Sequence, residues 1–239
     1  MSPAARPALS LVIPCWNEAE SLRGLLERFG SVLKRSDVEL VLVDNGSTDR
    51  TSEVLPALLP SYGFARQVTL RENQGYGGGI LAGLETAQGR FLGWTHADLQ
   101  TDPADALRSL DFLESCPAPE RTLVKGLREG RPLAAVLVTW GMALYVGLRL
   151  KVALRDINGQ PVVFHRSFMD LWRLPPRDFT LDLYALYAAA RHGWTVERRA
   201  VEFPGRKHGR SRWDLGLRSK WRMARAVAAA CDALQREGV

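Results

Sequence analysis

Three short polar stretches in the first hundred residues hold the side chains best suited to chemistry. They lie at residues 14–18 (Pro-Cys-Trp-Asn-Glu), 43–51 (Val-Asp-Asn-Gly-Ser-Thr-Asp-Arg-Thr) and 98–100 (Asp-Leu-Gln). Carboxylates such as Glu18, Asp44 and Asp98 can accept hydrogen bonds from a polar ligand or hold a divalent cation. Each stretch alone indicates little, and a turn stabilised by Asx hydrogen bonds is the alternative interpretation of the second one.

An apolar run precedes each polar stretch. The apolar runs predict strands at residues 9–15, 38–43 and 90–94, and a shorter strand at 67–70. Helical spacing is found at 22–33 and 80–87, and Pro103 begins a further predicted helix. Strands that alternate with helices predict an α/β fold with a mostly parallel central sheet and helices on both faces. Ligands bind such sheets beyond the carboxyl ends of the strands, where Asn17, Asp44 and Asp98 would lie.

The second half of the chain has a less regular pattern. It contains an apolar segment at 132–148, a predicted strand at 161–164, a helix at 183–191, a strand at 195–203 and a basic helix at 215–234. Arg131 and Arg149 bracket the apolar segment, whose length is marginal for a membrane span. We expect it to dock on a membrane with one side facing protein, and a fully buried core helix is the alternative.

Taken together, the three polar stretches resemble the family 2 glycosyltransferases of GT-A fold. That family's pattern is Pro-x-Tyr-Asn-Glu, Asp-Asp-Gly-Ser-x-Asp-x-Thr, Asn-x-Gly and Asp-x-Asp, and the resemblance extends from about residue 9 to 211. It implies inverting transfer of a sugar from a nucleoside-diphosphate sugar by one GT-A nucleotide-diphospho-sugar transferase domain over residues 1–239. About 9–125 would bind the donor and about 126–239 the acceptor. The nucleotide-sugar-binding residues implied are Pro14, Trp16, Asn17, Glu18, Asp44, Gly46, Ser47, Asn73, Gly75, Ala97 and Asp98.

The resemblance also implies a divalent cation, Mg²⁺ or Mn²⁺, held by Asp98 and Gln100. The sequence departs from the family pattern at two positions: His96 replaces the first Asp of Asp-x-Asp, and Asn45 replaces a usual Asp. Imidazole is a poorer magnesium ligand than carboxylate but is acceptable to manganese. His96 is therefore either a third metal ligand or a histidine hydrogen-bonded to the loop.

Two basic segments resemble those that grip phosphates in polyprenol-phosphate sugar synthases. The phosphate-binding residues implied are Arg128, Arg131, Arg206, His208 and Ser211, and guanidinium groups suit phosphate oxygens because they bind them bidentately. Solvated surface charge is the alternative for these clusters. The residues predicted to be catalytic are Asp98, Arg128, Arg131, Asp182 and Arg206.

The acceptor implied is a polyprenyl phosphate, which is already anionic and needs no general base. A sugar hydroxyl of a polysaccharide or lipid-linked glycan is the alternative acceptor, and Asp182 would then act as the base. Asp182 could equally be the N-cap of the helix that follows it. Asp156 is a further carboxylate of interest.

A glycine-rich segment at residues 75–79 provides a competing signal. Gly77-x-Gly79-x-x-Ala82 matches the dinucleotide-binding fingerprint, which makes an NAD-dependent dehydrogenase a remote alternative. That fingerprint normally closes the first strand of its unit, whereas two predicted strands precede it here. The match is therefore weak.

Composition limits the location and partners of the chain. The formal net charge is +6, and the whole excess lies after residue 202, which suits phosphates or anionic lipid; no nucleic-acid-binding module accompanies it, so no nucleic acid partner is expected. Three cysteines without metal or disulfide spacing and an N-terminus without an apolar core predict a cytoplasmic protein, peripheral on the inner face of the membrane. Homo-oligomer formation is left open.

Overall fold

A computed structural model describes residues 6–203 and 217–237 of the chain. Within these residues seven strands form one sheet in the order β3-β2-β1-β4-β6-β5-β7. The strands are β1 Leu9–Cys15, β2 Val38–Asn45, β3 Ala65–Leu70, β4 Phe91–Trp94, β5 Thr122–Glu129, β6 Val162–His165 and β7 Thr195–Glu202. The helices are α1 Leu22–Val32, α2 Thr51–Leu58, α3 Gly75–Thr86, α4 Pro103–Ser115, α5 Leu133–Leu150, α6 Leu181–Arg191 and α7 Leu217–Glu237.

Strand β6 is the one strand of this seven-stranded sheet that runs against the others. It pairs antiparallel with both β4 and β5, whereas β1 pairs parallel with β2 and β4, β2 with β3, and β5 with β7. The carboxyl ends of β1, β2, β4 and β5 therefore lie at one edge of the sheet. The prediction of a mostly parallel α/β sheet is confirmed.

Helices cover both faces because the buried strands alternate their side chains between two cores. Leu11 and Ile13 of β1 pack with α1, α2 and α4, whereas Val12 packs with α3, α5, α6 and α7. Both cores include residues of β4 and β6, so one sheet joins the two halves of the chain.

Two elements of the fold, α2 and β5, were not predicted from the sequence. Helix α2 has eight residues and contains Pro56, which lacks an N–H and suits a helix interior poorly. Strand β5 contains Lys125 and Gly126, residue types that strands disfavour, yet its first five residues are buried. The polar side chains of β5 are stabilised by partners distant in sequence.

Helix α5 is largely exposed, so the alternative of a fully buried core helix is wrong. The only buried residues of α5 are Ala143, Val146 and Leu150. Its outward surface is apolar and comprises Leu133, Val136, Leu137, Val138, Trp140, Leu144, Tyr145 and Leu148. By length and composition α5 is long and apolar enough to cross a membrane, with a mean hydropathy of 1.7 over 18 residues.

Helix α7 packs its C-terminal half against the core and against α5. Val227, Cys231 and Leu234 are buried, and Gln235 Nε2 donates a hydrogen bond of 2.5 Å to the backbone oxygen of Arg149 in α5. Arg149 also forms an ion pair with Asp232. Helix α7 therefore extends the core that is built around α5 and α6.

Candidate functional site

Asn17 ties the loop after β1 to the loop after β2. Its backbone has a φ of 58°, a left-handed conformation that asparagine tolerates because its side chain hydrogen-bonds locally. Its Oδ1 accepts hydrogen bonds from the backbone N of Thr48 at 2.8 Å and of Asp49 at 3.3 Å. Its own backbone N donates to Ser47 Oγ at 3.2 Å. Asn17 thus holds two predicted ligand-binding loops together.

Asp44 lies fully buried at the end of β2. Its Oδ1 accepts a hydrogen bond from Ser47 N at 3.1 Å and its Oδ2 one from Ser52 Oγ at 2.5 Å, so the turn-forming alternative for this loop is realised. Burial raises the pKa of the neighbouring Cys15 thiol far above its usual value, and the charges of Glu18 and Asp44 raise it further. The two predicted carboxylates therefore converge around a thiol that stays protonated.

Asn45 explains one departure from the family pattern. Its Oδ1 accepts a hydrogen bond from the backbone N of Gln74 at 3.0 Å, while its Nδ2 donates to the backbone oxygen of Gly75 at 2.8 Å. An aspartate could accept the first bond but could not donate the second. The amide at position 45 thus anchors the start of α3 beside the loop after β2.

The glycines of α3 are required by close packing within the protein. A Cβ at Gly75, whose φ is 82°, would lie 2.5 Å from the backbone oxygen of Arg177. A Cβ at Gly77 would lie equally close to the backbone oxygen of Pro176. The helix moreover follows β3, an edge strand, rather than the first strand of a dinucleotide unit. The dehydrogenase alternative therefore loses its only signal.

His96, Asp98 and Gln100 lie half-buried directly after β4. Asp98 Oδ1 accepts a hydrogen bond from the backbone N of Gln100 at 3.1 Å, across a left-handed residue, Leu99, with a φ of 55°. Among residues 6–203 and 217–237, no group of three or more His, Cys, Asp or Glu forms a complete metal cage. One carboxylate, one amide and one imidazole fit a cation that completes its coordination with substrate phosphates.

Asp182 is buried at the second position of α6, so the alternative of a helix N-cap is wrong: Thr180 holds the cap position. Asp182 Oδ1 accepts hydrogen bonds from Lys125 Nζ at 2.5 Å and from Gln160 Nε2 at 2.9 Å. The same Gln160 nitrogen donates to the Tyr76 hydroxyl at 3.0 Å. Lys125, Gln160 and Tyr76 are neighbours of Asp182 that were not expected from the sequence.

Tyr76 links the Asp182 cluster to the loop after β4. Burial raises the pKa of Tyr76, and the nearby charges of Asp182 and Asp98 raise it further. Its ring also lies 5.5 Å from the His96 ring. Asp98 and Asp182, which were predicted to be catalytic from distant parts of the sequence, therefore lie near the same phenol. The sequence carried one signal for this residue, because Tyr76 is the one large side chain in the glycine-rich start of α3.

Arg128 and Arg131 both face Asp156. The Arg128 Nε and Nη2 atoms and its backbone N donate to the Asp156 carboxylate, and Arg131 Nη2 lies 3.7 Å from it. Burial by itself would raise the pKa of Asp156, but the hydrogen bonds and charge of Arg128, together with the charge of Arg131, lower it. Arg131 Nε is buried without a hydrogen-bond partner among the described residues. The structure thus brings these two predicted phosphate-binding arginines together around one carboxylate.

The other predicted ligand residues lie in the same loops. Trp16 is 37% exposed beyond β1, and Asn73 Oδ1 accepts a hydrogen bond from Gly75 N at 2.7 Å before α3. Pro14, Gly46, Ser47 and Ala97 end or follow strands β1, β2 and β4. The predicted residues Arg206, His208 and Ser211 lie outside the described part of the chain.

Sequence comparison identifies related proteins. Residues 10–119 match the family model for glycosyl transferase family 2. A dodecaprenyl-phosphate galacturonate synthase of Rhizobium johnstonii is 30% identical over 213 residues, which are 87% of this chain and 62% of that protein. An undecaprenyl-phosphate 4-deoxy-4-formamido-L-arabinose transferase of Pseudomonas paraeruginosa is 38% identical over 114 residues, 46% of this chain and 34% of that protein. The chain thus spans less than two thirds of these relatives' lengths.

Comparison with solved structures identifies the fold. The glucosyl-3-phosphoglycerate synthase of Mycobacterium tuberculosis in complex with Mn²⁺, UDP and phosphoglyceric acid matches with a TM-score of 0.73 at 21% identity, covering 99% of this chain and 80% of that one. A mannosyltransferase from Pyrobaculum calidifontis in complex with GDP-Man and Mn²⁺ matches with a TM-score of 0.66 at 20% identity, covering 94% and 62%. The predicted GT-A fold is confirmed. Within that fold, residues 10–119 are the part that matches the family 2 glycosyltransferase model.

Proposed function

We propose that this chain transfers a sugar from a nucleoside-diphosphate sugar to a polyprenyl phosphate, with inversion at the anomeric carbon. The observation that carries the proposal is the pairing of Asp182. The carboxylate predicted as base for a hydroxyl acceptor is buried and already accepts hydrogen bonds from Lys125 and Gln160. A phosphate acceptor is already anionic, so no base is needed. The names of both polyprenyl-phosphate relatives support the same acceptor class.

The donor nucleotide would bind across the loops after β1 and β2. Trp16 offers an exposed aromatic face beside the Asn17-bridged loops, and such a face suits stacking on a base. Glu18 lies deeper and would supply a carboxylate acceptor for polar groups of the nucleoside, whereas the buried Asp44 shapes the loop beneath it through Ser47 and Ser52. The sugar would then extend towards Asp98 and Tyr76.

Asp98, Gln100 and His96 would hold a divalent cation, and the two structurally similar proteins from Mycobacterium tuberculosis and Pyrobaculum calidifontis were solved with Mn²⁺. When bound, such a cation neutralises negative charge on the diphosphate leaving group. The protein's own contribution is the tight turn that fixes Asp98 through its hydrogen bond with Gln100 N. Mn²⁺ is the metal we expect, because His96 stands where the family pattern has an aspartate and imidazole suits manganese better than magnesium.

Arg131 and Arg128 would hold the acceptor phosphate. A guanidinium has five N–H donors, and Asp156 uses only part of those on Arg128, while Arg131 Nε is buried without a partner among the described residues. A phosphate oxygen would attack the anomeric carbon from the face opposite the diphosphate. The bond from that carbon to the phosphate forms as its bond to the diphosphate breaks, and no proton is transferred. Arg206, His208 and Ser211 remain predictions for this site.

A lipid acceptor requires access to a membrane surface, and α5 suits that role. Leu133 is 73% exposed, Val138 66% and Leu148 72%, so apolar side chains project from the body of the protein. Trp221 of α7 is 68% exposed and has Arg225 over its ring at 5.3 Å, which suits a membrane interface. We propose peripheral attachment through these two helices at the cytoplasmic face of the membrane.

The test is transfer of labelled sugar from UDP-, GDP- and dTDP-sugars to a short polyprenyl phosphate, with the matching polyprenol as the control acceptor. We expect a labelled, mild-acid-labile lipid product with the phosphate and none with the alcohol. Asp111→Asn, which changes an exposed carboxylate remote from the site, should match the wild-type rate. If the enzyme glycosylates a sugar hydroxyl and leaves polyprenyl phosphate unreacted, the proposal is overturned. Asp182 would then be the candidate base.

A further inference from the structure

A cavity with cationic side chains lies beside Asp156 and outside the loops that follow β1, β2 and β4. It has a volume of about 220 Å³ and is lined by the segment after α5, helix α6 and strand β7. Arg155 and Arg198 contribute its charged groups, and the apolar lining comes from Ala153, Leu154, Leu186, Ala190 and Val196. None of these residues belongs to the candidate site.

Regular secondary structure places these groups together. Residues 196 and 198 are two apart on β7, so their side chains share one face of the strand. Residues 186 and 190 are four apart on α6 and share one face of the helix. The cavity therefore has an apolar floor formed by α6 and β7, with cationic side chains beside it.

Arg198 is half-buried and has no carboxylate partner of its own. Its Nη1 donates to the backbone oxygen of Asp156 at 3.3 Å, and no carboxylate oxygen of the described residues lies within the 4.0 Å of an ion pair. The carboxylate of Asp156 forms an ion pair with Arg128, and that of Asp182 forms one with Lys125. Burial lowers the pKa of Arg198 to about 10, to which the charge of Arg155 contributes, while Asp156 and Asp182 oppose the shift.

A partly buried guanidinium without an anion is electrostatically unfavourable, and a second guanidinium beside the same cavity adds to the need for a negative ligand. The cavity is smaller than the roughly 300–1,000 Å³ of pockets that hold drug-sized ligands. Its charged part suits an oxyanion, because guanidinium forks bind phosphate oxygens bidentately. Its apolar part suits a short hydrocarbon group attached to that oxyanion.

We propose that the Arg155–Arg198 cavity binds a phosphate monoester through its oxyanion, with the ester's apolar group against Leu154, Leu186 and Val196. The cavity adjoins the proposed acceptor site through Asp156, whose carboxylate binds Arg128 and whose backbone oxygen accepts a hydrogen bond from Arg198. None of the residues that line the cavity is proposed to bind the acceptor. In the register of the two strands, Arg198 of β7 lies opposite Lys125 of β5. Val201 of β7 lies opposite Arg128, three residues further along both strands. At about 3.3 Å per residue the two levels are about 10 Å apart.

The binding test uses calorimetric titration of the whole chain with inorganic phosphate and with butyl phosphate, in the presence of saturating UDP and Mn²⁺. We expect butyl phosphate to bind more tightly than inorganic phosphate, and Arg198→Gln to weaken binding by about tenfold or more. Arg199→Gln is the matched control, because Arg199 lies next in the strand but over the Phe112 ring and near Glu197. It should bind as the wild type does.

A second variant and a vesicle-binding assay complete the test. If Arg198→Gln fails to fold, Arg155→Gln, which changes an exposed side chain, replaces it with the same expectation. Vesicles of phosphatidylcholine with and without phosphatidic acid identify the source: retention that Arg198→Gln reduces indicates a lipid headgroup, and binding of butyl phosphate alone indicates a small soluble ester. Binding unaffected by either substitution, or reduced equally by Arg199→Gln, would overturn the proposal. Because this assay measures no turnover, it stands or fails separately from sugar transfer.

Discussion

The Nζ atom of Lys125 lies 2.5 Å from Oδ1 of Asp182, and the two side chains are 1% and 3% exposed. Lys125 comes from the middle of β5 and Asp182 from the first turn of α6, so this ion pair joins the sheet to a helix across the core. Burial lowers the pKa of Lys125, although the charge of Asp182 opposes that shift. Removing either partner of a buried ion pair is destabilising, because the other charge is left buried and unpaired.

Removing one partner of this pair should destabilise the fold more than removing both. We expect Lys125→Met to lower the free energy of unfolding by about 3–5 kcal/mol, because Asp182 is left charged and buried. The double variant Lys125→Met with Asp182→Leu should recover much of that loss. Urea denaturation of the single and double variants measures the coupling, and additive effects would contradict the ion pair as a coupled unit.

Asp182→Asn should retain appreciable transfer to a polyprenyl phosphate per folded molecule. The reason is that a phosphate acceptor loses no proton, while an amide oxygen can still accept from Lys125 and Gln160. Turnover under saturating donor, normalised to the folded fraction from the melting transition, is the measurement. A fall of several orders of magnitude with intact donor binding would favour the hydroxyl acceptor.

Asp98→Asn should reduce turnover by about a hundredfold, which corresponds to about 3 kcal/mol of leaving-group stabilisation. In the proposed mechanism its side chain would hold the cation beside the diphosphate, and its hydrogen bond with Gln100 N shapes the turn. The kinetics should be compared with those of Asp111→Asn and with wild type in EDTA. Full activity in EDTA would contradict the metal role.

The Arg128–Asp156 pair should make stability depend on pH in the acid range. The folded pKa of Asp156 is held below its usual value near 3.8, so the stabilisation is present above that value and is lost as the pH falls through the folded pKa. Near pH 7 the free energy of unfolding of the wild type should exceed that of Asp156→Asn by about 3 kcal/mol. This difference should shrink below about pH 4. Denaturation curves of both proteins from about pH 7 down to about pH 2 provide the measurement, and a constant difference over that range would count against the pair.

Binding to anionic vesicles should depend on the outer surface of α5. Serine at Leu137, Trp140 and Leu148 should reduce co-sedimentation, since each exposed apolar side chain that enters the interface contributes about 1.5–3 kcal/mol. Leu174→Ser is the matched control, because Leu174 is 69% exposed but lies outside α5. Met142 packs against the core, so it is unsuitable as a test of lipid contact. Self-association of the wild type that the three serines abolish, without vesicle binding, would identify a second copy as the partner of α5.

The sequence by itself determined the elements that carry short-range patterns. Continuous apolar runs predicted β1, β2 and β4 because these strands are buried on both faces, and turn-forming residues marked where each ends. Since the carboxyl ends of parallel strands meet at one edge of a sheet, the order of strands and polar stretches along the chain was enough to place the three stretches at one edge.

Only the tertiary structure decided how the charged residues pair and which face of α5 is free. Lys125 and Asp182 are 57 residues apart, and Arg128 and Asp156 are 28 apart, so no local pattern reveals either contact. Helix α5 is apolar on all sides, and its burial depends on where β6, α6 and α7 leave room for it. These features are set by long-range packing, because burial and ion pairing depend on neighbours that the chain brings together only when it folds.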